Sequence, residues 1–205
     1  MANLEADDQR AGPGRPRGTS RQTVARTALE LFAERGFEET TIEDIAEAVG
    51  VGRRTLFRYF SSKADMVWGE FDWVLDRLRA GLRETSPEEP LMQSLSTAVV
   101  ESNRYERESL PELRIRMQLI TRVPALQAHS MLRYAAWREV IAEFVAERVD
   151  QPVEALLPQT LAHAALGTSM AAFEVWVDNP SLDLVETLEE AYALLEAGFS
   201  LPGGR

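Results

Sequence analysis

The chain predicts an all-α protein, with an N-terminal three-helix module of the helix-turn-helix, homeodomain-like kind and a larger helical body behind it. Three observations predict this. Apolar residues recur at helical spacing between Gly and Pro breakers, capping signals open helices at Thr41 and Ser62, and no segment offers an alternating strand with a partner elsewhere.

Composition sets the limits. The 205 residues, 45% of them apolar, allow one domain or two small ones with a real core, as in a soluble globular protein. The absence of cysteine excludes a disulfide framework and a thiolate metal site, and two histidines, His129 and His163, leave little for zinc, so no metal or cofactor is expected. The opening MANLEADDQR lacks the apolar core of a secretory signal. Leu161 to Val177 is the most apolar stretch, but His163 and Glu174 interrupt it and small residues fill it, which suits a buried helix better than a membrane span. A cytoplasmic location without a membrane partner is the expectation.

A net charge of −11 argues against a nucleic-acid partner only if charge is evenly spread, and it is not. Residues 1–9 carry three acids, residues 10–63 ten cations against seven acids, and residues 64–205 twelve cations against twenty-three acids. A cationic module on an acidic body can hold DNA at one end while phosphate repels the rest.

Residues 1–19 hold three glycines, two prolines and no large apolar residue after Leu4, the composition of a disordered arm. GPGRPRG lacks the Gly-Lys-Ser/Thr ending of a phosphate loop and follows no strand. Arg10, Arg15, Arg17 and Arg21 are free of intervening acids, so the arm can reach a minor groove or phosphates; a solvated tail is the alternative. From Arg21 to Arg35, Val24, Ala25, Ala28, Leu29 and Phe32 share one helical face, and Gly36 is the stop. Thr41 and Asp44 form a capping box that starts a second helix near Ile42, with Ile42, Ile45, Ala46 and Val49 at helical spacing. Gly50 and Gly52 turn the chain into a third helix, about Arg53 to Phe60. It offers Arg53, Arg54, Thr55, Arg58 and Tyr59 as donors beside Leu56, Phe57 and Phe60. Arg53 to Lys63 carries four cations and no acid, whereas Glu38 to Glu47 carries five acids and no cation. A cationic helix after a capped one suits entry into the major groove. An ordinary solvated face is the alternative for the arginines, and core packing for Phe57 and Tyr59.

The run ALELFAERGFEETTIEDIAEAVGVGRRTLFRYFSSKADM resembles the N-terminal DNA-binding domain of the TetR family of bacterial transcriptional regulators over about residues 20–66. The resemblance implies an all-helical fold of about nine helices, residues 67–205 forming a ligand-binding and dimerisation domain, and a homodimeric repressor released by a ligand. It implies a phosphate contact at Thr41, recognition-helix contacts at Arg53, Arg54, Thr55 and Phe57, and backbone-phosphate contacts at Tyr59 and Lys63. Gly52 departs from the pattern, standing where the family usually places a serine cap; the poorer cap costs about a few tenths of a kcal/mol.

Ser62 and Asp65 form a second capping box, from which one long helix should run to about Glu84 before Thr-Ser-Pro-Glu-Glu-Pro. Val67, Phe71, Val74, Leu75, Leu78 and Leu82 share a face, with Trp68 at its edge and Met66 and Trp73 opposite. In the family this helix carries ligand state to the reading heads. Leu91 to about Arg107 should be helical and include Tyr105. Leu110 to Ile120 fits either period, and the lack of a partner strand decides for helix. Pro124 opens a helix through Val149 whose buried side should hold Leu126, Met131, Leu132, Ala135, Val140, Ile141, Phe144 and Val145. Pro152 and Pro158 punctuate before Leu161 to Val177, and Leu184 to Phe199 closes the chain.

The last two helices suggest a twofold four-helix interface through Leu161, Ala165, Thr168, Ala172, Trp176, Leu188, Tyr192 and Leu195, suited to a palindromic double-stranded operator with half-sites about 34 to 36 Å apart or a multiple of it. Trp68, Phe71, Tyr105, Met117, Tyr134, Trp137, Met170 and Phe173 supply material for an apolar effector pocket, with ordinary core as the alternative. Arg104, Arg107, Arg114, Arg116 and Arg122 offer an anion anchor or surface salt bridges. The stretch FRYFSSKAD running into Trp68-Gly69-Glu70-Phe71-Asp72 is similar to regulators of the mycofactocin biosynthetic system, which implies an acyl-coenzyme A effector. An effector-independent regulator or an activator is the alternative function. A helical enzyme is the remote one, since no nucleophile with a base, metal spacing or cofactor loop is recognisable.

Overall fold

The computed structural model describes residues 19–69 and 71–198, and among them the secondary structure is entirely helical. Arg17 and most of the arm lie outside the described residues.

Helix α1, Arg21–Arg35, starts where Ser20 accepts a hydrogen bond from the Thr23 amide. Helix α2, Ile42–Val49, opens on a complete capping box: Thr41 Oγ1 accepts from the Asp44 amide at 3.1 Å, and Asp44 Oδ2 accepts from the Thr41 amide at 2.8 Å. Gly50 ends it in the left-handed conformation, φ 74°, which turns the chain into α3, Arg53–Tyr59. Val24, Ala28, Leu29, Phe32, Ile45, Leu56 and Phe60 are buried in the wedge between the three helices.

The long helix expected from Ser62 to Glu84 is two. Helix α4, Lys63–Trp68, stops at Gly69 (φ 59°, ψ −122°), and α5, Phe71–Glu84, is a separate helix. This backbone conformation suits glycine alone, and a Cβ there would come within 2.7 Å of Arg116 Nη1. Periodicity missed the break because a helix tolerates an interior glycine. The break lets Met66, Val67, Trp68 and Phe71 all be buried, which one straight helix with a single buried face does not. Helix α4 lies against both α1 and α7, so it is the joint between module and body.

The body continues with α6, Leu91–Ser102, a 3₁₀ turn at Arg107–Ser109, α7, Leu110–Arg122, and α8, Pro124–Val149. Helix α6 ends before the expected Arg107, because Asn103 turns its side-chain amide onto the Val99 carbonyl and closes the helix end; Tyr105 lies in the connection. Helix α8 has its expected bounds, but Met131 (61% exposed), Leu132 (79%) and Ala135 face outward rather than inward. The adjacent turn points His129 and Arg133 at α4 instead, which rotates those apolar residues to the surface.

Helix α9, Leu156–Asp178, starts before Leu161 and absorbs Pro158 in its first turn, where a missing amide costs nothing because that amide has no intrahelical partner. Helix α10, Leu184–Glu196, follows; Phe199 lies outside the described residues. Ala165, Ala172, Trp176, Leu188 and Tyr192, expected at a dimer interface, are closed inside the protomer. The Tyr192 hydroxyl lies 3.0 Å from both Ser169 Oγ and the Ala165 carbonyl oxygen, and burial pushes its pKa up against the Ser169 hydrogen bond. The reason is that α9 and α10 spend these faces on each other and on α6, α7 and α8. Leu161, Thr168 and Leu195 are half-buried. No helix among the described residues is long and apolar enough to cross a membrane.

Candidate functional site

Two sites emerge, a cationic surface on α3 and a cavity in the body, with α4 between them. Arg53, Arg54, Phe57 and Arg58 are exposed on α3, and Phe57 keeps 41% of its surface in solvent, so core packing does not account for it. Arg53 pairs with Glu43 at 2.6 Å; both side chains are more than half exposed, so the pair is worth little and can be exchanged for a phosphate. Arg54 has no ion pair among the described residues, and the Arg58 guanidinium lies 5.4 Å from the Tyr59 ring centroid. Thr55 is half-buried; Thr41 is exposed at the start of α2, its hydroxyl also donating to Asp44 Oδ2 at 2.6 Å. Gly52 caps α3 with no side-chain hydrogen bond, and a Cβ there would meet open space.

Three residues expected at DNA are braces within the protein. Arg21 donates to the carbonyls of Tyr59 and Gly69 and stacks 4.2 Å from the Phe60 centroid, tying α1 to the end of α3 and to the break after α4. The Tyr59 hydroxyl donates to the Thr19 carbonyl. Lys63 donates to the carbonyls of Phe37, Glu38 and Thr40, which exhausts the three protons of an ammonium group and closes the turn between α1 and α2. In this arrangement Lys63 has no donor left for phosphate.

The cavity measures about 360 Å³, within the range of small-molecule pockets. All eight residues singled out from the sequence, Trp68, Phe71, Tyr105, Met117, Tyr134, Trp137, Met170 and Phe173, line it. They come from α4, α5, α7, α8, α9 and the connection after α6, so no single helix pattern marks them as a set. Trp68 meets Phe71 and Tyr134 edge-on, with ring centroids 5.0 and 5.7 Å apart. Its indole N–H is buried and has no acceptor among the described residues. Polar residues share the wall, among them Asn103, Tyr105, Ser109, Glu112 and Arg116. Burial pushes the Tyr105 phenol pKa up, against the pull of Arg77 and Arg116.

The arginine run separates in space. Arg104 pairs with Glu101, Arg122 with Asp178, and Arg114 donates to the carbonyls of Trp176, Val177 and Asn179. Only Arg116 of the five lines the cavity.

Sequence reasoning missed how α4 is held. Asp65, read as a capping partner, does accept the local hydrogen bonds of Ser61 and Ser62, and its other oxygen lies 3.0 Å from both His129 Nε2 and Arg133 Nη2 on α8. Burial alone would raise its pKa; the hydrogen bonds from Ser61, Ser62, His129 and Arg133 outweigh burial and hold it at about 2, below the ordinary 3.8. At the other end of α4, the Val67 carbonyl accepts from Arg116 of α7. Partners 64, 68 and 49 residues away leave no periodic signal.

Residues 25–67 match the model of the bacterial regulatory proteins of the TetR family, and residues 89–200 match the MftR C-terminal domain model. The chain is 40% identical over 185 residues to the protein proposed as the mycofactocin biosynthesis transcriptional regulator MftR of Mycobacterium tuberculosis, covering 90% of this chain and 93% of that one. Among solved structures, the TetR-family repressor FadR of Thermus thermophilus in complex with lauroyl-CoA is 26% identical at a TM-score of 0.58, covering 90% of this chain and 100% of that one. FadR of Bacillus subtilis, in complex with stearoyl-CoA, shares the fold at 20% identity and a TM-score of 0.66, with 87% and 99% covered. Two family models in tandem and a relative of matching length settle the family: the chain belongs to the TetR family of bacterial transcriptional regulators, as a DNA-binding regulator and not an enzyme.

Proposed function

We propose that the protein is a homodimeric repressor that holds a palindromic operator through α3 and releases it when an acyl-type effector, of which acyl-coenzyme A is the leading form, fills the body cavity. The observation that carries this reading is that the cavity reaches α4: Trp68 lies in its wall, five residues after the Lys63 that starts that helix and nine after the last residue of α3. Occupants of the cavity press on the element that positions the reading helix. The apolar lining suits a hydrocarbon chain, and the likeness to the lauroyl-CoA complex of Thermus thermophilus FadR favours the same chemistry here.

The operator contacts in this reading are Arg53, Arg54, Phe57 and Arg58 to bases and phosphates, with Thr41 and Thr55 beside them and the cationic arm, including Arg17, reaching the duplex further along. The reading head spans about residues 20–66 and the body 67–205. The dimer forms through the outer face of α9 and the last turns of α10, where His163, Gly167, Ala171 and Val175 and then Ala193 and Leu194 are exposed. Small residues there allow close approach, and twofold symmetry matches a palindrome. Footprinting on DNA upstream of the protein's own gene tests the reading. A protected palindrome at nanomolar protein that is lost on adding lauroyl-CoA is expected; no protection at near-physiological salt overturns it.

A further inference from the structure

We infer that Arg116 is the switch residue of the cavity: it binds the carbonyl or carboxylate oxygen of an acyl effector, and in doing so lets go of the Val67 carbonyl that fixes α4. This rests on the cavity being the effector site and names the chemistry the site reads.

Arg116 belongs to two structures at once. It lines the cavity, and its Nη1 donates to the carbonyl of Val67, in the last turn of α4. The same Nη1 is 2.7 Å from where a Cβ on Gly69 would stand, so the left-handed break and the arginine fit one another and the glycine leaves the guanidinium its place. Nη2 pairs with Glu112 Oε1 at 2.8 Å, and Glu112 also lines the cavity. The Arg116 side chain is only 17% exposed, so it reaches little but these partners and the cavity. A guanidinium has five N–H donors, and two of them meet acceptors among the described residues. A largely buried cation beside an apolar space with donors to spare is an incomplete site for an oxygen acceptor. Trp68, on the same wall, adds a buried N–H without an acceptor.

The competition is between a neutral main-chain carbonyl and the effector's oxygen. Both bonds draw on the charge of the guanidinium, so the advantage lies with a carboxylate head, which brings the opposite charge and takes two parallel bonds from the fork, whereas an acyl carbonyl competes through the donors that Arg116 leaves unused. Turning the guanidinium into the cavity removes the donor from Val67 and vacates the space beside Gly69. Asp65 still holds the start of α4 to α8, so the helix pivots about that end. An effector changes the equilibrium only through such a difference in contacts between the two states.

Trp68, Trp73 and Trp137 line the cavity, so tryptophan fluorescence of the full-length dimer reads occupancy without DNA, and anisotropy of a labelled upstream duplex reads release. The probes are decanoate, decanoyl-CoA and decyltrimethylammonium, below their micellar concentrations. Decanoate, decanoyl-CoA or both should quench fluorescence and lower operator affinity at least ten-fold, and the cation should do neither. Arg116→Met keeps the aliphatic stem and should weaken the responsive probe at least ten-fold; because the strap to Val67 is also lost, the unliganded variant should hold the operator more weakly than the wild type. Glu112→Gln keeps the strap and removes the neutralising charge: tighter decanoate points to a free carboxylate as the natural head, whereas decanoyl-CoA binding with indifferent decanoate points to an acyl carbonyl. Equal binding of the cation and the acyl probes, no binding of either acyl probe, or an Arg116→Met protein that binds and responds like the wild type overturns the inference. If the acyl probes bind through Arg116 but the operator complex is unchanged, the anchor stands while release through α4, and with it the repressor reading, falls.

Discussion

At the scale of single residues, the arginines divide by what they touch. Arg53 and Arg54 face solvent on α3, and replacing either by alanine should cost about 1 to 3 kcal/mol of operator affinity for each base contact made, with the melting temperature unchanged. Arg21 and Lys63 give the opposite signature. Lys63→Met strands three carbonyls of the turn between α1 and α2, so it should lower stability by about 1 to 3 kcal/mol in denaturant titration, with lost DNA binding following from the unfolded module. Gly52 has room for a side chain and lacks a cap hydrogen bond, so Gly52→Ser should raise stability by about a few tenths of a kcal/mol; a decrease would mean that α3 needs the glycine.

At the scale of elements, the fate of α4 decides the behaviour of the molecule. Asp65 joins it to α8, and the hydrogen bonds it accepts hold its carboxyl pKa at about 2 rather than 3.8. A depressed carboxyl pKa stabilises the fold above the unfolded value, and that contribution is lost as pH falls through the folded one. Asp65→Asn should therefore cost on the order of 2 kcal/mol near neutrality, and its difference from the wild type should shrink as pH drops from 3.8 towards 2. A difference that stays constant over that interval would show that the charge does not hold the joint. The helices themselves were legible because their signals are local: the box at Thr41 and Asp44, the glycine stop after α2 and the proline at the head of α8 act within a turn or two. The break at Gly69 was not, because glycine signals neither its φ nor the arginine beside it. The joint was not legible either, because Asp65 satisfies a local capping pattern whether or not His129 and Arg133 reach it.

At the scale of the whole molecule, the apolar residues of α9 and α10 signalled burial but not what buries them. Ala165, Trp176 and Tyr192 are covered by the protomer itself, so the proposed dimer is left with the outer faces. Introducing arginine at Gly167 should therefore yield monomers by light scattering and weaken binding to a palindromic operator far more than to a single half-site. The eight cavity residues were found as aromatic and methionine side chains, without knowing that helices far apart in sequence bring them together. The charge division has its counterpart in the structure, since Arg53, Arg54 and Arg58 are exposed on α3 while the first two turns of α10 expose Glu186, Glu189 and Glu190. The measurement that tests the central claim most directly is fluorescence anisotropy of the labelled upstream duplex, titrated with dimer at near-physiological salt and then with lauroyl-CoA. Nanomolar binding that the acyl compound reverses in a saturable way is expected of an acyl-released repressor; binding that stays unchanged at saturating lauroyl-CoA, or no binding at all, rules it out.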